Sequence, residues 1–512
     1  MSLAPATLST HASTFQRARA SFRDLFAADT RSLALTRVCV AALVLVDLAW
    51  RARDIRAFYS DAGLLPRVAW EHAYRHGWSL HALSGRPSVL AVLFAAHGAF
   101  AFAMLVGWQT RVATLLTWLL MASLHGRNPA VLQGGDTLLL LLLFWGIFAP
   151  WGARISVDAL RRRAIAPTRV LSVGTLGLVL QMPLVYLVTA MQKHGPEWRT
   201  NFRAVYYTLN DDLVTSSVGK LVGRAPLGLL EAMTVATLVV ELALPILLFC
   251  PWKTTHARTL ALAVATTLQS GFAVCFRIGL FPFVSTVALG VFVPEAAWTW
   301  LEGRAPYRRL RAALEAHIPP ARRVRRVSAL RDWVIEGACA AALLLALYSN
   351  ASSVRGARMP RPVARAAAAL RLEQGWKMFV RPQKKAGWYV AVGRTRAGGD
   401  VDLLRGGATR VRWDRPAHAS DVFANYRWRK YFGNVRLKKM ARHRPSFGRW
   451  LCRDWNGGHR ADDRLETVGL YWLTAPGGSE HGAAPRKQLV LERTCVGKEA
   501  KRKHHSGGAA RL

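Results

Sequence analysis

Nine long apolar runs, divided by arginine-rich gaps, constrain this chain more than any other feature. They occupy residues 33–50, 88–108, 112–124, 137–151, 170–191, 227–251, 260–276, 281–300 and 333–348. A helix needs about 20 residues to cross the hydrocarbon core of a bilayer, and most runs approach that length. Runs 112–124 and 137–151 are short, so they must borrow flanking residues, tilt little or be partly re-entrant. Trp50, Trp108, Trp151, Trp252, Trp298, Trp300 and Trp333 stand at run ends, as interfacial belts require. The pattern predicts an α-helical polytopic membrane bundle of eight or nine transmembrane helices over residues 33–350. A polar segment, 1–32, precedes it. A basic, β-rich α+β soluble domain at 355–497 and a disordered tail at 498–512 follow.

The formal charge is +40, with 52% hydrophobic residues, and the two are segregated along the chain. Arginine and lysine fill the gaps between runs and dominate the C-terminal third. Charge that flanks membrane spans points to anionic lipid headgroups and to topology rather than to nucleic acid. The sequence carries no zinc-finger, glycine-rich phosphate or RNA-binding signature to argue otherwise. The segment before the first run lacks an apolar core, so it does not read as a cleavable signal peptide.

Positively charged loops resist translocation. With the N-terminus inside, the fourth connection (Arg154, Arg161, Arg162, Arg163, Arg169) and the eighth, which carries nine arginines between Arg304 and Arg331, should be cytoplasmic. The first connection, which also holds six arginines from Arg51 to Arg86, runs against this arrangement. Nine spans would place the basic domain on the external face, with the loops at 127–136 and 193–224; an even number would place it inside.

Ionisable residues at membrane depth are costly and therefore functional candidates. Lys193 follows the fifth run in TAMQKHGPEW, where Gly195 and Pro196 end the helix. An amine held in an apolar pocket loses solvation of its charged form and can act as a base; the alternative is a snorkelling lysine. Trp198 reads as an interfacial anchor or a binding residue. Arg127, Asn128, Gln133 and Asp136 form a second cluster. Asn128 before Pro129 has the form of a helix N-cap, Asp136 can cap the next helix, and the same polar groups can line a pocket. Asp47 and Arg51 are four apart and can pair on one helix face. Glu241, deep in VVELALPILL, should face the bundle interior, and His97 is a similar case. No spacing makes a metal site or a nucleophile triad.

In the C-terminal third, residues 387–396 and 400–405 alternate apolar and polar about a Gly-Gly turn, and 467–474 is a further strand. Residues 426–444 form an amphipathic helix, resting on a membrane surface or on a solvated face. Cys452 and Cys495 can form a disulfide if this domain faces an oxidising compartment. The other four cysteines lie in or beside apolar runs.

Several segments together resemble the HTTM membrane domain of vitamin K-dependent γ-carboxylase-like proteins. They are SLHGRNPAVLQGGDTLLLLLLFWGIFAPWG from Ser123 with SVD at 156–158, YSDAGLLPR at 59–67, KHGPEWRTNFRAVYYTL at 193–209 and IGLFPFV at 278–284. The likeness covers residues 32–294, and GWKMFVRP at 375–382 is similar to the start of the family's soluble domain. The resemblance implies a bacterial-type inner-membrane protein using reduced vitamin K or another quinol, with Lys193 at the position of the family's catalytic lysine. It implies a protein or lipophilic substrate on the external face. Two positions depart from the family pattern. Asn128 is followed by Pro129 where an Asn-His pair stands, and Gln269 replaces a membrane histidine. Neither replacement relays protons as imidazole does, which separates quinone chemistry from glutamate carboxylation. A non-catalytic scaffold, whose basic domain binds lipid or a partner protein, is the rival reading.

Overall fold

The computed structural model describes residues 22–23, 25–75, 77–162, 166–318, 329–416, 418–476 and 485–495. The tail at 498–512 and most of the N-terminal segment lie outside the described residues. All nine apolar runs fold as helices. The principal ones are α1 (Thr30–Ala52), α2 (Pro87–Val106), α3 (Thr110–Arg127), α4 (Gly134–Phe148), α5 (Val173–Gln192), α6 (Leu227–Leu248), α7 (Thr254–Cys275), α8 (Phe281–Ala288), α9 (Glu295–Glu302) and α10 (Ala329–Arg355).

Among the described residues, five helices are long and apolar enough to cross a membrane: α1, α2, α5, α6 and the Trp333–Arg355 part of α10. The eighth run is bent by 85° between Phe292 and Glu295, and counting it as one broken span gives six. Its bend falls at Val293, whose extended backbone (ψ 122°) is what a following proline favours. Helix α4 has 15 residues, which at 1.5 Å each is shorter than the ~30 Å core. Leu138, Leu139, Leu140, Leu141, Leu142 and Leu143 are each at most 4% exposed, so α4 is a central helix enclosed by others. The outer helices behave oppositely: Val92, Phe102, Val239, Ile246 and Leu344 are exposed, as a lipid-facing surface requires.

The tryptophan pattern divides. Trp108, Trp252, Trp300 and Trp333 are exposed at helix ends, but Trp151 and Trp298 are buried. Their indole N–H groups donate to Thr114 Oγ1 (3.2 Å) and Ser32 Oγ (2.8 Å), so they lock helices together instead of marking an interface.

The C-terminal part is a four-stranded antiparallel sheet of order β2-β1-β3-β4, made of β1 (Lys385–Thr395), β2 (Asp400–Asp402), β3 (Leu465–Pro476) and β4 (Arg486–Thr494). Tyr389 lies opposite Trp472 and Leu470 opposite Leu491. Helix α11 (Tyr426–Arg436) follows the Asn425 cap, and α12 (Arg444–Gly458) packs on β3 and β4. A disulfide joins Cys452 on α12 to Cys495 beyond β4. Helix α11 rests on neither lipid nor solvent. It buries Arg427, Tyr431, Phe432 and Val435, and Phe58 of the bundle packs against Trp428 and Tyr431 with ring centres 4.7 and 6.2 Å apart. One hydrophobic core therefore runs from the bundle into the sheet.

Candidate functional site

Helix α5 ends at Gln192, and Lys193 is its C-cap. Pro196 starts a one-turn helix, Pro196–Arg199, that brings Trp198 back beneath the lysine, with Nζ 4.2 Å from the ring centre. Arg199 closes the helix end by donating to the carbonyls of Lys193 (2.9 Å) and Ala190 (3.3 Å). Lys193 is 2% exposed, so it does not snorkel. Its Nζ donates to Glu241 Oε1 at 2.5 Å. Glu241 belongs to the buried stripe Thr234, Leu238, Glu241, Leu244 and Leu248 of α6, a helical spacing that faces the bundle interior. Lys193 lies one residue beyond the span, where burial pushes its ammonium below the ordinary lysine value while the Glu241 charge opposes the shift.

Glu241 lines a cavity together with Tyr186, Thr189, Gln269, Met378 and Phe379, and Lys193 reaches it through Glu241. Gln269 Nε2 donates to the Tyr186 hydroxyl at 2.9 Å. Glu241 Oε2, Gln269 Oε1 and Thr189 Oγ1 are buried with no hydrogen-bond partner among the described residues. Buried polar atoms are ordinarily paired, so three orphans on one cavity mark a place for a ligand that donates hydrogen bonds. The roof comes from the C-terminal part of the chain. Trp198 Nε1 donates to Phe379 O (3.0 Å), and Phe379, held at φ +53°, packs on Phe272 and Phe276. Lys384 also pairs with Glu197 at 3.2 Å, tying the roof to the turn below it.

Asp136 lies in a separate cluster. Arg51 donates to Asp47 and to Asp136, both at 2.6 Å, and to the Tyr59 hydroxyl at 2.7 Å. Arg427 enters from α11 and donates to Asp47 and to Asp136. Asp136 Oδ2 also accepts from Gln133 N–H at 2.8 Å, which completes the capping box of α4. The donor atoms of Asp47, His125 and Asp136 lie within 4.8 Å of one another, the separation that metal ligands have. Both carboxylates are already neutralised by two guanidinium groups, so a divalent ion would have to displace them, and this donor set does not fit a metal.

The residues singled out by sequence thus separate. Lys193 meets Glu241 and Trp198, and of the three Glu241 lines the cavity. Asp136 serves the four-charge cluster and the cap of α4. Asn128 accepts from Ala130 N–H (3.2 Å), as an N-cap does, and its Nδ2 donates to Phe58 O (3.0 Å). Arg127 is fully buried at the end of α3, with none of its three nitrogens hydrogen-bonded among the described residues. Sequence reasoning did not find Tyr186, Thr189, Met378 and Phe379 at the cavity, or Arg427 in the cluster. The first two are ordinary residues of an apolar helix, and the others arrive from nearly 200 or more residues away. Gln269, singled out only as a departure from a family pattern, is a lining residue.

No curated protein and no solved structure matches the chain. A family model for the HTTM domain matches residues 26–298, which spans the bundle through α8 and half of α9 and includes Lys193, Trp198 and Glu241. With that match and its apolar helices, this chain belongs to the HTTM domain family and is a multi-pass membrane protein.

Proposed function

We propose that the Lys193 cavity binds a lipophilic quinol, and that Lys193 serves as the base of a quinone redox chemistry like the first half of the γ-carboxylase reaction. The observation that carries this reading is the Lys193–Glu241 pair set beside three unpartnered oxygens in an apolar cavity. A bound quinol supplies acidic phenolic protons and two electrons. Gln269 Oε1 and Glu241 Oε2 would accept the phenolic hydrogen bonds. Neutral Lys193 would take the proton, with Glu241 stabilising the resulting ammonium. Trp198 and Phe379 exclude water, which favours the neutral amine that a base needs to be.

Free space in the cavity is only about 20 Å³, room for one water. An aromatic ring enters only if Met378 and Phe379 swing away, so the segment around them would act as the gate. With an odd number of spans, the N-terminus inside and the protein in a bacterial-type inner membrane, this gate and the basic domain would face outward. A substrate from that side would then meet the soluble domain first. Pro129 and Gln269 argue for quinol oxidation without glutamate carboxylation, because neither supplies the imidazole of the family pattern.

Purified protein in nanodiscs, given reduced menaquinone, oxygen and bicarbonate, should convert the quinol to its epoxide or a related oxidised product, and Lys193→Ala should abolish conversion. Equal inertness of wild type and variant would overturn the enzyme and leave the scaffold reading. Quinol binding without an oxidised product would point to electron transfer instead.

A further inference from the structure

Arg127 presents a problem of charge that the quinol reading does not touch. Its side chain is 0% exposed, and Nε and both Nη atoms lack hydrogen-bond partners among the described residues. Its attachment is fixed on both sides: Trp70 Nε1 donates to Gly126 O at 2.8 Å, and Asn128 is held by Phe58 O at 3.0 Å. The acidic group whose charge it feels, Asp61, gives its carboxylate to Arg67 instead, through Nε and the backbone N–H, both at 2.8 Å. Asp136, nine residues on, is taken by Arg51 and Arg427.

His81 adds a second buried donor to the same region. It is 0% exposed, and its partner Ser123 lies four residues before Arg127 on α3, one turn away on the same helix face. Ser123 Oγ accepts from the His81 backbone N–H (3.1 Å) and lies 2.7 Å from His81 Nδ1. When the Ser123 hydroxyl donates to Nδ1, the ring proton sits on Nε2. Nε2 has no partner among the described residues. A guanidinium and an imidazole nitrogen are thus buried on one helix face, and neither has a hydrogen-bond partner among the described residues. A buried cation without a counter-charge costs several kcal/mol of desolvation, so such an arrangement calls for an anion. The planar fork of arginine matches two coplanar oxygens, and its full burial limits the anion to a few atoms.

We propose that Arg127 and His81 form a binding site for a small free carboxylate, distinct from the Lys193 cavity. The two carboxylate oxygens accept from the guanidinium fork, and one of them also accepts from His81 Nε2–H. The half-exposed Arg67–Asp61 pair, 38% and 39% exposed, forms the surface edge of this region and the route by which an anion enters.

The test uses the full chain in nanodiscs, with unfolding followed by tryptophan fluorescence while sodium chloride is replaced by sodium acetate at constant ionic strength. The expected result is a saturable rise in Tm with acetate. Arg127→Lys, which keeps charge but loses the fork, should weaken the apparent acetate affinity about tenfold. His81→Phe should weaken it less. Asp61→Asn should leave the acetate response in place. Arg127→Gln should fold without any acetate response; if it fails to fold, Arg127→Lys and His81→Phe still decide the matter. The proposal is overturned if acetate and chloride act alike on the wild type. It is overturned too if decanoate stabilises and acetate does not, which would make the ligand a lipid headgroup. Destabilisation by Asp61→Asn together with loss of the acetate response would show that Asp61 itself neutralises Arg127. Quinol turnover is not part of the readout, so this result stands or falls apart from the Lys193 chemistry.

Discussion

Two of the buried ionic groups among the described residues are finished to different degrees. In the Asp47, Arg51, Asp136 and Arg427 cluster, two positive charges meet two negative ones and all four carboxylate oxygens have donors, although Arg427 Nε has no partner among the described residues. In the Lys193–Glu241 pair one carboxylate oxygen is used and the other is unpartnered among the described residues. A satisfied network rigidifies the structure around it, whereas a partly satisfied one keeps capacity for something else. The first reads as a fastener between the bundle and the C-terminal sheet, and the second as a site.

The largest expected effect comes from opening the fastener. Arg427→Gln leaves two buried carboxylates sharing one arginine and should cost ~3–5 kcal/mol, read as a drop in Tm and as new protease cleavage between residues 356 and 384. A loss under ~1 kcal/mol would erase the distinction between the clusters. Next comes the pH response of the same docking face. His443 is buried against the Tyr74 hydroxyl at 2.7 Å, and burial, helped by the Arg442 charge, pushes it down from 6.5 to about 4. The unfolded chain binds the proton first, so stability is complete above pH 6.5 and falls as the pH drops toward 4. The loss is at most ~3 kcal/mol, and His443→Phe should flatten it in a denaturation series across that window.

The pair at the site should behave in the opposite way. Lys193→Met combined with Glu241→Leu replaces an ion pair by apolar groups of similar size and should change unfolding free energy by no more than ~1 kcal/mol, or raise it, while quinol oxidation is lost. Marked destabilisation would make this pair a second fastener. The smallest effect is expected from Thr189→Val, which removes an unpartnered hydroxyl. Stability should hold or rise by up to ~1 kcal/mol, while apparent quinol affinity falls about threefold to tenfold in a binding titration.

The apolar runs were legible because hydrophobicity is local, and each became a helix. Which of them cross a membrane was less legible, since length alone does not separate a central helix such as α4 from a spanning one. Capping by Asn128 and the Asp47–Arg51 pair were readable because their partners lie within four residues. The strand at 486–494 was not found, since its side chains, apart from Val490 and Leu491, are largely exposed or half-buried and supply little apolar alternation. Helix α11 was misplaced for a related reason. Its basic and aromatic residues have the composition of a membrane-surface helix, and only the two aspartates waiting in the bundle explain why Arg427 is buried.

The bond between Arg427 and Asp47 joins residues 380 positions apart. At roughly 5–20 residues per second, a ribosome delivers Arg427 about 20 to 80 seconds after Asp47 has entered the membrane. During that interval the nascent bundle holds two aspartates against Arg51 alone and carries an uncompensated negative charge. Assembly of the membrane part is therefore not finished when its last helix inserts. It closes only when Arg427, about five-sixths of the way along the chain, has been made, and a product truncated before it would keep a marker of incompleteness at its centre.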